Sequence, residues 1–441
     1  MGSIFKAYDI RGIYGADLTD EIAYKIGRAF VTLVGCRNVA IGRDIRPHSE
    51  PLFEAFARGC TDQGTSVIDL GHVSTPMSYF ANGRLQTDAS VMITASHNPA
   101  QWNGFKLCRA NTVPISGATG IQDIERIVQE ESFNPKASLA GHISRYDIAP
   151  EYAEHIRQFA RMPRPLKIAV DFANGMGIWE AKSLEGLLSW DGLYDKPDGH
   201  FPNHEANPLR TETLHDLQEL VRNGQYDFGV AFDGDADRVG FVDENGEIIS
   251  MDLMTALIAQ DILSREKGTI FYDLRSSRVV KEVIESAGGK AMMSRVGHAF
   301  IKQQMRDNDA LFAGELSGHY YFKDNFTTES AALAVLSVAN LVSVSGQKLS
   351  ELVQPLRKYF ASGEINTRVN GDTKPILNKL KAKYITAHEF ELDGVSIEFP
   401  DWWFNVRCSN TEPLIRLNLE ADTQEKMEQK RDEVLDIIRG N

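Results

Sequence analysis

The sequence predicts three consecutive α/β domains with mainly parallel sheets, followed by a C-terminal α+β domain. Three observations carry this expectation. Strand–helix alternation begins near the N-terminus and restarts twice, at Leu166 and at Gly268. Each restart passes from an apolar run through a polar or glycine-bearing turn into a helical pattern, as βαβ units do. Beyond Ala361 the texture changes, and Asp393-Gly394 marks a tight hairpin between two short runs. A chain of 441 residues suggests about three domains, and 42% apolar residues is ample for their cores.

In the first unit, taken as 1–145, Thr19 is placed to cap a helix whose face carries Ile22, Ala23, Ile26 and Phe30. A short strand at 39–41, a helix at 52–60 and a strand at 66–70 follow. After residues 76–83 comes an apolar strand at 89–93. A helix at 121–131 closes the unit, and polar residues 134–142 form a linker. The second unit, 146–245, starts with a strand at 166–171, then Asn174-Gly175-Met176-Gly177 and a helix running toward Leu188. A buried strand at 226–232 comes later. The third, 246–360, has a strand at 268–272, then Arg275-Ser276-Ser277 and a helix through Ile284. The last, 361–441, pairs 390–392 with 395–399 and ends in an amphipathic helix at 423–438. No direct sequence repeat links the units.

A net charge of −14 and a pI near 5.3 argue against general nucleic-acid binding, which relies on a basic face. An anionic substrate must therefore meet a locally basic cleft. The cysteines, at 36, 60, 108 and 408, have no CxxC spacing, so neither a zinc site nor a disulfide framework is expected. They suit a reducing cytosol, and Cys408 suits a small buried filler. No stretch reaches the roughly 18 apolar residues of a membrane helix. Lys6, Asp9 and Arg11 stand where a signal peptide needs its apolar core, and Lys6 where N-myristoylation wants Ser or Thr. A cytoplasmic protein with no obligate protein partner is expected.

Two polar loops bear chemistry. Thr94-Ala95-Ser96-His97-Asn98-Pro99-Ala100 follows the run 89–93, so one hydroxyl stands at the carboxyl edge of a sheet, where open α/β sheets bind ligands. Ser, Asn and Pro are also ordinary turn residues, and the loop alone decides nothing. The run 226–232 leads into Asp233-Gly234-Asp235-Ala236-Asp237-Arg238. Three alternate carboxylates can converge on one hard cation; packed without one they repel. A calcium loop is the rival, with Glu244 at its twelfth position. Arg238, however, occupies the place of that loop's glycine, and the flanks look like strands. Together the two loops suggest phosphoryl chemistry on magnesium.

Further motifs follow the same order: Tyr8-Asp9-Ile10-Arg11-Gly12, Asn103-Gly104-Phe105-Lys106, Gly314-Glu315-Leu316-Ser317-Gly318-His319 and Arg407-Cys408-Ser409-Asn410-Thr411-Glu412-Pro413. With the serine and aspartate loops they resemble the α-D-phosphohexomutase family, most of all its phosphomannomutase/phosphoglucomutase branch, from Phe5 to the end of the chain. The resemblance implies domains arranged around a central cleft, the first three sharing a topology. It implies that Ser96 is phosphorylated in the active enzyme, and a phosphate oxygen there completes the shell of one Mg2+ held by Asp233, Asp235 and Asp237. It places Lys106 and Arg11 at the transferring phosphate. His97 can donate to that phosphate or cap the turn, and Arg238 can reach the phosphate or the sugar, or form a solvated salt bridge. Arg43-Asp44-Ile45-Arg46 is also family-like but is expected to be a structural ion-pair turn.

The resemblance also assigns Glu315 and Ser317 to sugar contacts and His319 to the reacting end. Val296-Gly297-His298 resembles a second sugar loop, with valine where threonine is commoner. Arg407 is a fork donor in a turn whose Ser409, Asn410 and Thr411 can help cradle a phosphate dianion. The expected activity interconverts hexose 1-phosphate and hexose 6-phosphate, of mannose and/or glucose, with hexose 1,6-bisphosphate as intermediate and activator. Rival readings are a phosphoglucosamine mutase, a phosphoserine-dependent sugar phosphatase and a non-catalytic sugar-phosphate-binding protein.

Overall fold

The computed structural model describes residues 4–369, 372–408 and 414–440. In the first domain β1 (Ile10–Ile13), β2 (Asn38–Arg43), β3 (Ser66–His72), β4 (Ala89–Ile93), β5 (Trp102–Arg109) and β6 (Ile143–Arg145) form a sheet of order β1-β5-β4-β2-β3-β6. The second sheet contains β7 (Leu166–Asp171), β8 (Leu188–Leu193), β9 (Phe228–Phe232), β10 (Val239–Val242) and β11 (Ile248–Ile249), ordered β11-β10-β9-β7-β8. The third contains β12 (Thr269–Asp273), β13 (Lys290–Ser294), β14 (Phe312–Gly314), β15 (Tyr320–Phe322) and β16 (Thr328–Glu329), ordered β13-β12-β14-β15-β16.

One order recurs: β5-β4-β2-β3, β10-β9-β7-β8 and β15-β14-β12-β13 correspond strand for strand. Topology thus repeats where the sequence does not. In each sheet the three crossover-linked strands run parallel, and the fourth turns back antiparallel on the strand before it. Those reversals follow from the short connections at 94–101, 233–238 and 315–319, because a short loop can join only antiparallel neighbours. The serine loop, the aspartate loop and the loop at 315–319 are these reversals, at the carboxyl ends of β4, β9 and β14.

The helices begin where capping chemistry puts them. Thr19 accepts from Ile22 N at the start of Asp20–Val34, and Thr423 accepts from Lys426 N at the start of Gln424–Arg439. The helix after Gly177 differs from expectation. It ends at Ser183, and Leu188 opens β8 instead. Gly186, at φ +83°, makes the turn that breaks the apolar helical spacing.

One continuous core runs through the second and third domains and reaches the first through Met77, Phe80 and Met92. Helix Ala331–Ser345, apolar nearly all round, lies within it. Among the described residues no single helix is long and apolar enough to cross a membrane. The fourth domain has its own core under an antiparallel sheet of β17 (Phe360–Ala361), β18 (Ile365–Arg368), β19 (His388–Phe390), β20 (Val395–Phe399), β21 (Trp402–Cys408) and β22 (Leu414–Ala421). Arg278, opening a helix of the third domain, clasps it by donating to the carbonyls of Phe399, Pro400 and Trp402.

Candidate active site

Ser96 sits at φ +52°, a region that costs a non-glycine residue energy and that surrounding structure must hold. Arg46 does much of the holding. Fully buried in its side chain, it donates to the carbonyls of Ser96 (2.8 Å), Asn98 (2.7 Å), Pro99 (2.8 Å) and Trp102 (3.0 Å), with Nε on Asp44 (3.0 Å). The ion-pair turn foreseen at 43–46 is therefore present and also shapes the serine loop. Arg11, from β1, donates to Asn98 Oδ1 in the same loop and pairs with Asp9. His97 Nδ1 lies 3.3 Å from Ser96 Oγ. Removal from water, with Arg238 and Arg11 nearby, holds its imidazole well below the usual histidine pKa.

The aspartate loop meets the serine loop at Gly234, where a Cβ would lie 2.4 Å from the Ser96 carbonyl oxygen. Only glycine permits that approach. Ser96 Oγ then donates to Asp233 Oδ2 across 3.0 Å, and Arg238 N donates to Asp233 Oδ1 across 3.1 Å. Lys106, on β5, donates to Asp235 Oδ2 (2.8 Å) and to Asp237. All three aspartates are buried, with one carboxylate oxygen from each within 4.8 Å of the others. Burial and the charges of Asp235 and Asp237 push the Asp233 carboxyl well above its usual pKa. Burial opposes ionisation of Asp237 too, yet Lys106 and His319 hold it well below. Burial likewise opposes the charge on Lys106, and Asp235 and Asp237 overcome it and raise its pKa. Asp235 Oδ1 is buried with no hydrogen-bond partner among the described residues. An all-oxygen, anionic and under-satisfied donor set fits a hard divalent cation.

The loop after β14 faces this cluster. His319 Nε2 lies 3.3 Å from Asp237 Oδ1 and 3.2 Å from Arg238 Nε: charged, it donates to the aspartate, and neutral, it accepts from the arginine. Its Nδ1 lies 2.9 Å from Ser317 Oγ and 3.0 Å from Glu315 Oε2. Burial works against the imidazolium, but Asp237 and Glu315 prevail and push the pKa up to about 9. Glu315, despite burial, is held well below its usual value by His319, Arg275 and the Tyr321 hydroxyl. It also accepts from Gly297 N across 3.2 Å, which ties residues 296–298 to this loop. Tyr8 OH donates to the Val296 carbonyl (3.4 Å) and its ring meets His298 edge-on. Val296 thus contributes a backbone oxygen to this contact.

Arg407, at the end of β21, is linked to the same region. Glu364 accepts from Arg407 (2.8 Å) and from Arg416 (3.0 Å) and lies 3.7 Å from Arg275. Arg275 pairs with Asp273 at the end of β12, and Asp273 Oδ2 accepts from Leu316 N in the 314–319 loop. Ser409, Asn410 and Thr411 lie outside the described residues. Cys408 is half-buried and donates to Thr373 Oγ1. Sequence reasoning gave no role to Tyr8, Thr75, Asp273 or Glu364, and treated Arg275 only as a turn residue. The one available signal was Asp273 and Arg275 closing an apolar strand, as the recognised loops do.

Family models described as Phosphoglucomutase/phosphomannomutase, alpha/beta/alpha domains I, II and III, match residues 2–135, 150–246 and 250–359, and the C-terminal domain model matches 364–437. The chain belongs to the phosphoglucomutase/phosphomannomutase family. It is 39% identical to a phosphomannomutase of Escherichia coli, covering 99% of both chains. It is 40% identical to a phosphomannomutase of Methanocaldococcus jannaschii, covering 99% of this chain and 97% of the other. A crystal structure of a phosphoglucomutase/phosphomannomutase family protein from Burkholderia thailandensis superposes with a TM-score of 0.91 at 32% identity, covering 99% of this chain and 97% of that one.

Proposed function

We propose that the protein is a phosphohexomutase, an isomerase that interconverts hexose 1-phosphate and hexose 6-phosphate of mannose or glucose through phosphorylated Ser96. The observation that carries this is the meeting of three strand-end loops: Ser96 Oγ on Asp233 at 3.0 Å and Asp237 on His319 at 3.3 Å. Asp233, Asp235, Asp237 and an oxygen of phosphorylated Ser96 would hold magnesium. When bound, it neutralises and orients the transferring phosphoryl group.

In the first half-reaction a sugar hydroxyl attacks the phosphorus on Ser96. The new P–O bond forms as the Ser96 Oγ–P bond breaks, and the net proton transfer is from that hydroxyl to Ser96 Oγ. The product is hexose 1,6-bisphosphate. After the sugar turns over, Ser96 takes back the other phosphoryl group. Lys106, Arg11, His97 and Arg238 surround the transferring group with donors, and His319 stands at the reacting end. Glu315 and Ser317, with Val296, Gly297 and His298, would orient the sugar. Arg407, with Ser409, Asn410 and Thr411, would hold the phosphate that is not reacting. This reading divides the chain at 1–145, 146–245, 246–360 and 361–441, although β11 (Ile248–Ile249) joins the second sheet from beyond 245 and β17 (Phe360–Ala361) straddles the last boundary. It places the enzyme in the cytoplasm, which four free thiols suit.

The test supplies glucose 1-phosphate or mannose 1-phosphate, with magnesium and trace 1,6-bisphosphate, and follows 6-phosphate and free phosphate separately. Isomerisation without phosphate release is expected. Stoichiometric phosphate release supports a phosphatase instead, and binding without turnover a non-catalytic protein.

A further inference from the structure

We infer that Thr75 is a positioning residue of the aspartate cluster, whose hydroxyl decides which oxygen of Asp235 is offered to a divalent cation. The inference rests on reading Asp233, Asp235 and Asp237 as the cation site.

Thr75 opens the helix Thr75–Leu85 and is fully buried. Two hydrogen bonds tie it to Asp235. Its Oγ1 donates to Asp235 Oδ2 across 2.6 Å, and its backbone N–H donates to the Asp235 carbonyl across 3.0 Å. Lys106 Nζ donates to that same Oδ2. Both side-chain donors therefore load one oxygen, and Oδ1 is left buried without a partner among the described residues. Such an atom is costly to leave bare, and it is the one a cation can take. The two donors are not equivalent. Lys106 brings a positive charge that competes with a cation for the carboxylate, whereas a neutral hydroxyl orients it without competing.

The frame behind Thr75 is fixed. Ser74 accepts from Met77 N and so caps the helix, and Pro76 in the first turn suits helical φ. Ser74 also donates to Glu180 of the second domain. Glu180 in turn accepts from Tyr152 OH (2.9 Å) and from Ala332 N (3.1 Å) of the third domain. The first-domain helix that grips Asp235 is thereby anchored on both neighbouring domains.

The test is a Mn2+ titration of the full chain, with free Mn2+ read by electron paramagnetic resonance and folding checked by thermal melts. Thr75→Val and Thr75→Ala remove the hydroxyl; Thr75→Ser keeps it. Groups that orient ligating carboxylates typically change metal affinity by about 10- to 100-fold. Val and Ala should therefore weaken Mn2+ binding by about that factor, and Ser should bind close to the parent. Ala and Ser both lose the methyl, so their difference reports the hydroxyl even where Val folds poorly. Parent-like affinity in Ala, or equal affinities in Ala and Ser, overturns the proposal. So does an Ala variant that fails to fold while Ser folds, since the hydroxyl then serves the fold. If the parent chain binds no Mn2+, or Asp235→Asn binds it as tightly as the parent, the cation reading itself fails, and this inference with it.

Discussion

Ser96 Oγ donates to Asp233 Oδ2 across 3.0 Å, joining the turn after β4 of the first domain to the first carboxylate after β9 of the second. The contact exists because Gly234 lets one loop lie against the carbonyl of the other, and because Arg46 pins that carbonyl from behind. The place of this hydroxyl beside the carboxylate cluster depends on two domains folding against each other.

Ser96 should therefore be phosphorylated in active protein. Peptide mass analysis should find phosphate on it, and Ser96→Ala should lose most turnover with a nearly unchanged melting temperature. The side chain donates to Asp233 and lies within hydrogen-bond reach of His97 Nδ1, contacts worth roughly 0.5–3 kcal/mol each. Near-normal mutase rates in the alanine variant would sink the phosphoserine mechanism.

Asp235→Asn should lower activity and raise the magnesium concentration needed for half-maximal rate. Stability should change little, because relief of repulsion among three buried carboxylates offsets the loss of charge opposite Lys106. Activity that persists unchanged in excess chelator would return this loop to an ion-pair role.

What the sequence disclosed was local. The strand at 89–93 and the carboxylates at alternate positions each declare themselves within ten residues. The groups that organise them do not: Thr75 meets Asp235 from 160 residues away, and Arg46 reaches the Ser96 carbonyl across 50. A buried threonine at a helix start reads as an ordinary cap, and nothing nearby names its partner. The overlong helix toward Leu188 failed for a different reason. Leu184, Leu187 and Leu188 continue a helical spacing, and only the left-handed turn at Gly186 ends it.

Glu180 makes stability depend on pH. Burial, opposed by donors from Ser74, Tyr152 and Ala332, raises its carboxyl from 4.5 to about 7. Between those values the folded chain keeps a proton that the unfolded chain has lost. The contribution is thus fully present below the unfolded pKa and is lost as pH rises through the folded one, on the order of 3 kcal/mol in all. Glu180→Gln cannot ionise and should flatten the fall in melting temperature between about pH 4.5 and pH 7. Parallel curves for the two proteins would assign the dependence to other groups.

Arg407 should serve the phosphate that is not reacting. Its guanidinium is buried, its Nε has no partner among the described residues, and Glu364 holds its other edge at 2.8 Å. The site is therefore oriented before a ligand arrives. Losing a charge-assisted contact costs roughly 1.5–3 kcal/mol, about a ten- to hundredfold loss of affinity. Arg407→Ala should raise the Michaelis constant by that factor and release 1,6-bisphosphate into solution, because the intermediate must be kept while its sugar turns. The leak separates the two roles open to this residue. An arginine that, with Arg416, only balanced Glu364 would lower the melting temperature without freeing intermediate. Unchanged kinetics for both glucose and mannose 1-phosphate would remove β21 from the site, and with it the part proposed for the fourth domain.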